Sequence, residues 1–423
     1  MAVKYWTGQA AIYEISFDTG TNTPVTGETL NVVGSAGETC IVQSWTVSSG
    51  AWATNDAAGN IWVYGCSTDF VTNFASGDDL ENSSDELICN STSEETLKTG
   101  DVQAAGNWGV VEDVAIPVAD DEVIFDSRSS ETPTGGMLDS ESGATAQATL
   151  DLLHFKSGYT GGVGSVAEPL CTSPDTLIIE GTGTYYILCG LDDQSSDTTI
   201  GTTIINNASA TVYLYSNCND TDHDATFTNV YVLAGTVTCA YYTQDADTSK
   251  DTGCIVDNLY IAPKNDKSSN VTVTIEKDSF DSNNASTPAN IYMSNGTLTT
   301  DSKIGTLEIY KGTVNYGTDL TTTPETDLDI TTLRQYGGTL NWYPDDAGSP
   351  TITTAWIFGG SFVANGTTNN NRDKTITTLH SYNSASVNLA NNKANITVTN
   401  WYNHGATVKV DTGGKLALTY NQP

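Results

Sequence analysis

A repeated unit of two short strands occupies the last third of the chain, and it limits the folds that this chain can adopt. In its four clearest copies an isoleucine opens an alternating strand, a tight turn follows, and a second alternating strand completes the unit. Successive copies start 20 to 26 residues apart, a period typical of stacked β-solenoid coils. The copies begin at Ile304, Ile330, Ile352, Ile376 and, more loosely, at Ile396.

Alternation of apolar and polar residues within each copy predicts which side chains face the interior of a coil. We expect the turn between the two strands at Gly312, Gly338 and Gly360, with Asn383-Ser384 replacing it in the fourth copy. One inward column should come from the first strands and another from the second strands. The predicted columns are Leu307, Leu333 and Leu379, and then Val314, Leu340, Phe362 and Val387.

Weaker copies at 200–214, 227–239 and 255–261 extend the same pattern upstream. The sequence therefore predicts an all-β fold in which a small N-terminal β domain precedes a β-solenoid. We place the Trp-rich N-terminal domain at 1–105, a connecting segment at 106–147 and the solenoid at 148–423. A string of antiparallel sandwich domains is the alternative, because sandwiches also show strands every ~8–12 residues.

The chain is strongly acidic, with a formal net charge of −35, and the acidity falls along its length. Residues 1–150 carry 3 basic and 23 acidic groups, whereas residues 301–423 carry 8 and 10. This charge argues against binding of nucleic acid through phosphates and against an anionic membrane surface. We expect the acidity to serve solubility, and the near-neutral last third to make contacts that the acidic part avoids.

Metal and disulfide sites have little support in the sequence. The run from Asn217 to Asp224 places Asp220, Asp222 and Asp224 at alternate positions, where carboxylates can converge on Ca²⁺, but an acidic loop between coils explains it as well. The eight cysteines form no Cys-x-x-Cys pair and histidine is scarce, so a zinc site is not expected. Most of the cysteines are expected to be small apolar core residues that cytoplasmic synthesis keeps reduced, with at most an opportunistic disulfide such as Cys40–Cys66.

Catalytic chemistry has no convincing cluster in this sequence. Solenoid hydrolases and lyases need paired carboxylates, or a carboxylate beside a cation, on one face. Against so acidic a background no candidate stands out, and we predict that the chain is not an enzyme and holds no cofactor. The carboxylate candidates are Glu308, Glu276 with Asp278, and Glu325 with Asp327 and Asp329. Tyr241, Tyr242, Trp342 and Tyr343 are aromatic candidates for stacking on sugars, although we favour the explanation that they cap or fill coil layers.

Two parts of the chain, at residues 5–8 and at residues 107–126, carry a resemblance to a known group of proteins. The chain has Tyr5-Trp6-Thr7-Gly8, then Asn107-Trp108, and then the run Pro117-Val-Ala-Asp-Asp-Glu-Val-Ile-Phe-Asp126. This pattern resembles the opening of many tailed-bacteriophage structural proteins that continue into a β-solenoid. In that group the two parts lie close together, whereas here about a hundred residues separate them. The stretch 9–106 is therefore expected to be an inserted module.

The resemblance implies a protein of the virion surface, such as a head decoration protein, a head fibre or a tail fibre. It further implies a homo-oligomer, as a trimer, that contacts the major capsid protein or another virion protein, with no nucleic-acid or membrane partner. No secretion signal is recognisable, so we expect synthesis in the host cytoplasm. We favour capsid decoration. The alternative is a tail fibre or tailspike that binds a receptor or degrades polysaccharide.

Overall fold

The computed structural model describes most of the chain as β-strand, in two units. One unit comprises residues 1–148 with 159–162, and the other comprises 149–158 with 163–423. The described residues are 3–6, 13–35, 37–64, 66–93, 96–97, 120–127, 150–166, 169–189, 198–216, 225–239, 242–243, 251–252, 254–263, 271–276, 290–300, 302–317, 329–343, 350–364, 373–390, 395–410 and 416–422.

The first unit contains an antiparallel sheet and a separate parallel pair of strands. The parallel pair joins β1, Val3–Trp6, to β9, Glu122–Phe125. The sheet strands are β2 Tyr13–Gly20, β3 Thr29–Val32, β4 Thr39–Ser49, β5 Ala57–Tyr64, β6 Asp79–Asn82, β7 Leu87–Ser91 and β8 Thr96–Leu97. A 3-10 turn, η1 Trp52–Thr54, and a short helix, α1 Thr68–Asn73, lie among them.

The antiparallel sheet closes on itself, because β5 pairs both with β4 and with β2 in the order β5-β4-β3-β6-β7-β2. Closure leaves one enclosed apolar core, in which alternate residues of each strand meet. Helix α1 contributes Phe70 and Phe74 to this core, with their rings stacked 4.7 Å apart. Ser67 caps the helix, since its Oγ accepts a hydrogen bond from the Phe70 N–H at 3.1 Å.

The second unit is a parallel β-solenoid, as the repeat predicts. Each coil contributes one strand segment to a first ladder and one to a second ladder. Strands β14, β15, β26 and β27 are long enough to serve both ladders. Its strands are β10 Leu152–Phe155, β11 Leu170–Thr172, β12 Thr176–Ile179, β13 Gly183–Cys189, β14 Thr198–Ser216, β15 Ala225–Cys239, β16 Tyr242–Thr243, β17 Asp251–Thr252, β18 Ile255–Ile261, β19 Val271–Ile275, β20 Asn290–Met293, β21 Thr297–Thr300, β22 Ile304–Ile309, β23 Thr313–Tyr316, β24 Ile330–Gln335, β25 Thr339–Trp342, β26 Thr351–Val363, β27 Lys374–Asn388, β28 Ile396–His404, β29 Thr407–Lys409 and β30 Leu416–Gln422.

Parallel pairing runs unbroken along both ladders. The first ladder takes β10, β12, β14, β15, β18, β20, β22, β24, β26, β27, β28 and β30 in turn. The second ladder runs from β11 through β13, β14, β15, β19, β21, β23, β25, β26 and β27 to β29. The sandwich alternative is therefore wrong for this unit, because sandwich sheets are antiparallel. Only the two-residue strands β16 and β17 pair antiparallel among the described strands of this unit.

The predicted inward columns are confirmed. Leu307 pairs with Leu333, and Ala355 links Leu333 to Leu379 on the next coils. All of these side chains are fully buried. The second column is equally continuous and buried, in the order Val314, Leu340, Phe362 and Val387. Stacking of coils thus buries the apolar side that a single coil would leave in water.

Two details of the predicted register are wrong. Val398, and not Ile396, pairs with Ile376, so the fifth copy begins two residues later than the sequence suggested. In the fourth copy Ser384 and Ala385 lie opposite the glycine turn of the preceding coil, and Asn383 is an extra residue. Strand β27 therefore runs through the turn position without a break.

Among the described residues, no helix has the length and apolar character needed to cross a membrane.

Candidate functional site

Outward-facing aromatic and charged side chains form two parallel columns along the first ladder of the solenoid. Successive residues of a strand point to opposite faces, so residues two apart share one face. Column A consists of Tyr231, Tyr260, Tyr292, Glu308, Arg334, Trp356, His380 and Tyr402, which are consecutive partners in the ladder. Column B lies two residues further along the strands and consists of Tyr310, Tyr336, Phe358, Tyr382 and His404.

The rings of column B stack on one another from coil to coil. Centroid separations are 4.8 Å for Tyr310–Tyr336, 5.1 Å for Tyr336–Phe358 and 4.8 Å for Phe358–Tyr382, with ring planes within 17° of parallel. These separations match the spacing of neighbouring strands, about 4.7–4.9 Å. Each inner ring therefore presents both of its faces to neighbouring rings. Only ring edges remain directed to solvent along the column.

This geometry decides how the columns can interact with ligands. Stacking on a sugar or a base requires a free ring face. Inner rings of the column have none, so the columns are not a stacking platform. Each ring pair instead contributes about 0.5–1.5 kcal/mol to the association of coils beyond its buried area. The columns are therefore a stabilising feature of the outer surface, and they add side-chain contacts to the backbone hydrogen bonds of the ladder.

A charged pair interrupts the aromatic rings of column A. Arg334 Nη1 lies 2.6 Å from Glu308 Oε1, and the guanidinium carbon lies 5.6 Å from the centre of the Trp356 ring. Tyr310 in column B donates its hydroxyl to Glu308 Oε2 at 3.3 Å. The hydrogen bond with Glu308 raises the pKa of Arg334, while burial and the Glu308 charge raise the pKa of the Tyr310 hydroxyl. Both carboxylate oxygens of Glu308 therefore already have partners.

Among the catalytic candidates that the structure describes, Glu308 has an arginine and a tyrosine as side-chain partners. Glycosidic hydrolysis uses two carboxyl groups across one bond, with one of them protonated at working pH. Glu308 is instead paired with the Arg334 guanidinium and accepts the Tyr310 hydroxyl, so both of its oxygens are engaged by neighbouring side chains. Asp329 lies before β24 and accepts the Thr351 N–H at 2.7 Å through its Oδ1. The Glu308 carboxylate thus contacts an arginine side chain, and the Asp329 carboxylate accepts a hydrogen bond from a backbone amide.

Other predicted site residues have mixed outcomes. Trp342 is fully buried at the end of β25 within the second ladder, so it fills a coil layer, as favoured from the sequence, and does not offer a surface for sugars. Tyr343 is partly buried and donates its hydroxyl to Asn341 Oδ1 at 3.1 Å. Glu276 follows β19, and its carbonyl accepts the Ser302 hydroxyl at 2.8 Å. Asp220, Asp222, Asp224, Tyr241, Asp278, Glu325 and Asp327 lie outside the described residues, as does the side chain of Tyr242.

No group of three or more histidine, cysteine, aspartate or glutamate side chains converges as a metal site in the described ranges. Asp220, Asp222 and Asp224 lie outside those ranges, so calcium binding by these three residues stays a prediction.

Sequence reasoning missed columns A and B, although a signal was present. Counting from the opening isoleucine, the seventh residue of the first four copies is aromatic: Tyr310, Tyr336, Phe358 and Tyr382.

Polar columns accompany the aromatic ones. Asn341 Nδ2 donates to Asn315 Oδ1 on the preceding coil at 2.8 Å. Asn258 and Asn290 make the same type of contact with Asn229 and Asn258, at 3.3 Å in both cases. Amide side chains stacked in this way satisfy one another from coil to coil. They extend the hydrogen-bonded ladder outward and leave fewer free amide groups for a ligand.

The histidine near the end of column A makes stability depend on pH. His380 stacks between Trp356 and Tyr402, with ring centres 5.9 and 4.6 Å away, and His404 stacks 6.3 Å away. Burial, and then the positive charge of His404, lower the pKa of His380. The folded state thus binds a proton less readily than the unfolded state, whose histidine pKa is about 6.5.

The solenoid should therefore lose stability as pH falls below about 6.5 and through the lowered pKa of His380. We expect the melting temperature to fall over this range in the native chain. His380→Phe keeps a stacking ring without a titrating group, so its melting temperature should fall less on acidification. Carboxylates titrate equally in both proteins, and the difference between the two curves isolates the histidine. Identical curves would contradict this assignment.

Searches of protein-family models, curated proteins and solved structures return no match to this chain.

Proposed function

We propose that this chain is a non-enzymatic structural protein of a tailed-bacteriophage virion, displayed on the head as a capsid decoration protein or head fibre. The observation that carries the proposal is the parallel pairing of β1 with β9. Tyr5 pairs with Ile124 and Trp6 pairs with Phe125. These are the two parts of the phage-like pattern, and more than a hundred residues separate them in sequence.

This pairing supports the phage resemblance because it restores the proximity that the resembling proteins have in sequence. Val123 and Phe125 of β9 are fully buried, and Phe125 meets the Tyr159 ring edge-on at 5.3 Å. The intervening strands β2 to β8 form their own closed sheet with their own core. Strands β2 to β8 therefore support the proposal that the stretch 9–106 is a module inserted between β1 and β9.

The solenoid supports a structural role because the contacts of its outer face are largely directed to its own coils. Ring faces, amide groups and the Glu308–Arg334 pair are used between coils. A surface of this kind suits a durable scaffold, since every coil is tied to its neighbours by backbone and side-chain ladders. An enzyme would instead need carboxylates or other reactive groups free to meet a substrate.

Charge favours the head over the tail. Dense display on a capsid places many copies near one another and near other particles. A net charge of −35 keeps such particles from adhering, and it argues against nucleic-acid or membrane partners. The near-neutral residues 301–423, or the Trp-rich N-terminal module, would make the contacts with the major capsid protein or another virion protein. Copies would also associate with one another, as trimers, after synthesis in the host cytoplasm.

Immunogold labelling of intact particles tests the location directly. Antibodies raised against the purified chain should label the head surface of the phage that encodes it, with many gold particles on each head. Pre-immune serum is the control for non-specific adhesion. Label confined to tail tips would contradict the head assignment and favour the tail-fibre or tailspike alternative. Label absent from particles whose disrupted proteins also lack the chain would contradict any virion role.

A further inference from the structure

Three cysteines lie together in the closed antiparallel sheet of the first unit. Cys40 lies in β4 and Cys89 in β7, and both are fully buried in the apolar core. Cys66 follows β5, is partly exposed and packs against the same core. All three are free thiols in the structure. A pair of thiols is a chemical site only if the backbone holds the two sulfurs close enough to react, so the positions of the strands decide the question.

The backbone around Cys40 and Cys66 is tied on both sides. On one side the Ser67 N–H donates to the Thr39 carbonyl at 2.8 Å, and the Thr39 N–H donates to Ser67 Oγ at 3.1 Å. On the other side Ile41 pairs with Tyr64 in the β4–β5 ladder. Cys40 therefore lies between the two ties on one segment, and Cys66 lies between the same ties on the other. Both side chains pack in the same apolar core.

Such a position suits a disulfide, which joins residues whose Cα atoms are about 4.4–6.8 Å apart. Paired antiparallel strands hold facing Cα atoms at comparable distances, about 4.5–5.5 Å. Both side chains pack in the same apolar core, so the two thiols lie on one side of the sheet. The hydrogen bonds that tie the two segments together lie outside the pair.

The two thiols differ in access, and this difference sets the order of reaction. Partly exposed Cys66 is the thiol that a reagent can reach. The neighbouring Cys66 thiol and then burial raise the pKa of Cys40, so Cys40 is the less reactive thiol of the pair. Burial raises the pKa of Cys89 to about 12, with further contributions from the charges of Asp79 and Asp18. Cys89 is thus the least reactive of the three.

We propose that Cys40 and Cys66 form a disulfide by exchange with a low-molecular-weight disulfide such as oxidised glutathione. The Cys66 thiolate attacks the oxidant, which forms a mixed disulfide and releases one small thiol. Cys40 gives up its proton, and its sulfur attacks the Cys66 sulfur, which releases the second small thiol. The protein loses two thiol hydrogens and two electrons, and the oxidant gains both as two thiols.

The bond would lock the segment that leads into helix α1. Cys66 directly precedes Ser67, which caps the helix and is tied to Thr39. A disulfide at this point closes a loop that contains β4 and β5, and it stabilises the module by restricting the unfolded chain. Reducing cytoplasm would keep the thiols free during synthesis, and oxidising surroundings would close the bond afterwards. This chemistry is independent of the proposed location on a virion head.

The test uses the purified full-length chain, first reduced and then incubated with oxidised glutathione at neutral pH. Free thiols are counted in denaturant after alkylation, and digested peptides are mapped by mass spectrometry. We expect the count to fall from eight to six, a linked peptide pair containing Cys40 and Cys66, and a melting transition of the module that rises by several degrees. Adding a reductant should restore the eight thiols and the original transition.

Matched variants separate this pair from its neighbour. Cys66→Ser should abolish the linked peptide and the rise in melting temperature, whereas Cys89→Ser should retain both. The peptide map of the native chain decides the question even if a variant folds poorly. The proposal is overturned if the folded chain keeps eight thiols under conditions that oxidise the urea-unfolded chain. It is equally overturned if the linked peptides join Cys66 to Cys89 or to a cysteine of the solenoid.

Discussion

Replacing Leu333 with aspartate is expected to unfold the coils around β24. Leu333 is fully buried between Leu307 and Ala355 of the adjoining coils. A carboxylate placed there is buried among apolar side chains, and burial of such a group costs several kcal/mol or forces it to take up a proton. We expect a loss of about 4 kcal/mol or more in the free energy of unfolding.

The matched control is Thr331→Asp, because Thr331 lies on the same strand and is exposed. It adds the same charge without burying it, so its melting curve should stay close to that of the native chain. Hydrogen exchange measured by mass spectrometry should show loss of protection centred on β22, β24 and β26 in Leu333→Asp. A Leu333→Asp protein that melts and exchanges like the control would contradict the inward column.

Replacing Gly338 with alanine is the second change with a large expected effect. Gly338 has a φ of +68°, where side chains are strained, and it follows β24 at the turn into β25. A Cβ atom built there lies 2.6 Å from the Gly312 carbonyl oxygen of the preceding coil. Backbone atoms of a neighbouring coil cannot move aside without breaking the ladder. We expect a loss of about 2–4 kcal/mol in stability.

Gly27→Ala separates strain from steric clash. Gly27 also has a positive φ, +84°, but no atom lies within 4 Å of the Cβ that would be added. Its cost should be limited to the backbone strain of a left-handed residue, about 1–2 kcal/mol. For each variant, hydrogen exchange is measured in the unit that contains the substituted residue, the first unit for Gly27→Ala and the solenoid for Gly338→Ala. If Gly338→Ala costs no more than Gly27→Ala, close stacking of the turns is not what stabilises the coils.

The solenoid could be predicted from sequence wherever the coil length is nearly constant. Alternation and a glycine turn identify the coils from Ile304 onward, and the ladder confirms their register up to Ile376. The coil built from β20 and β21 was missed. Asn290 pairs with Thr306, so only 16 residues separate equivalent positions, fewer than in the recognised copies. A fixed period fails when the connection between coils shortens while the strands keep their register.

Polar residues in the interior were equally unpredictable. Lys374 is fully buried, with its Nζ 3.4 Å from the Trp342 carbonyl oxygen and 5.8 Å from the centre of the Trp342 ring. Gln335 occupies an inward position between isoleucines and donates to the carbonyls of Gly338 and Ser361. A lysine or glutamine at an inward position breaks the alternating pattern. Only the three-dimensional path of the turn supplies the carbonyls that accept its hydrogen bonds.

The contact of β1 with β9 lies beyond any local pattern, because the two strands are far apart in the chain. Sequence suggested an insertion only through comparison with a resembling group, and no periodicity links Trp6 to Phe125. The same limit applies to columns A and B. An aromatic residue at a fixed place in each repeat indicates a column, but whether ring faces or ring edges meet solvent depends on the spacing of the coils.

Fractionation of purified virions tests the central proposal most directly. Particles are disrupted into heads and tails, the two are separated on a density gradient, and the chain is quantified in each by mass spectrometry against the major capsid protein. A head decoration protein should accompany the heads in a fixed ratio to the capsid protein and be absent from the tails. Recovery of the chain only with tails, or only among non-virion proteins of the lysate, would contradict the account.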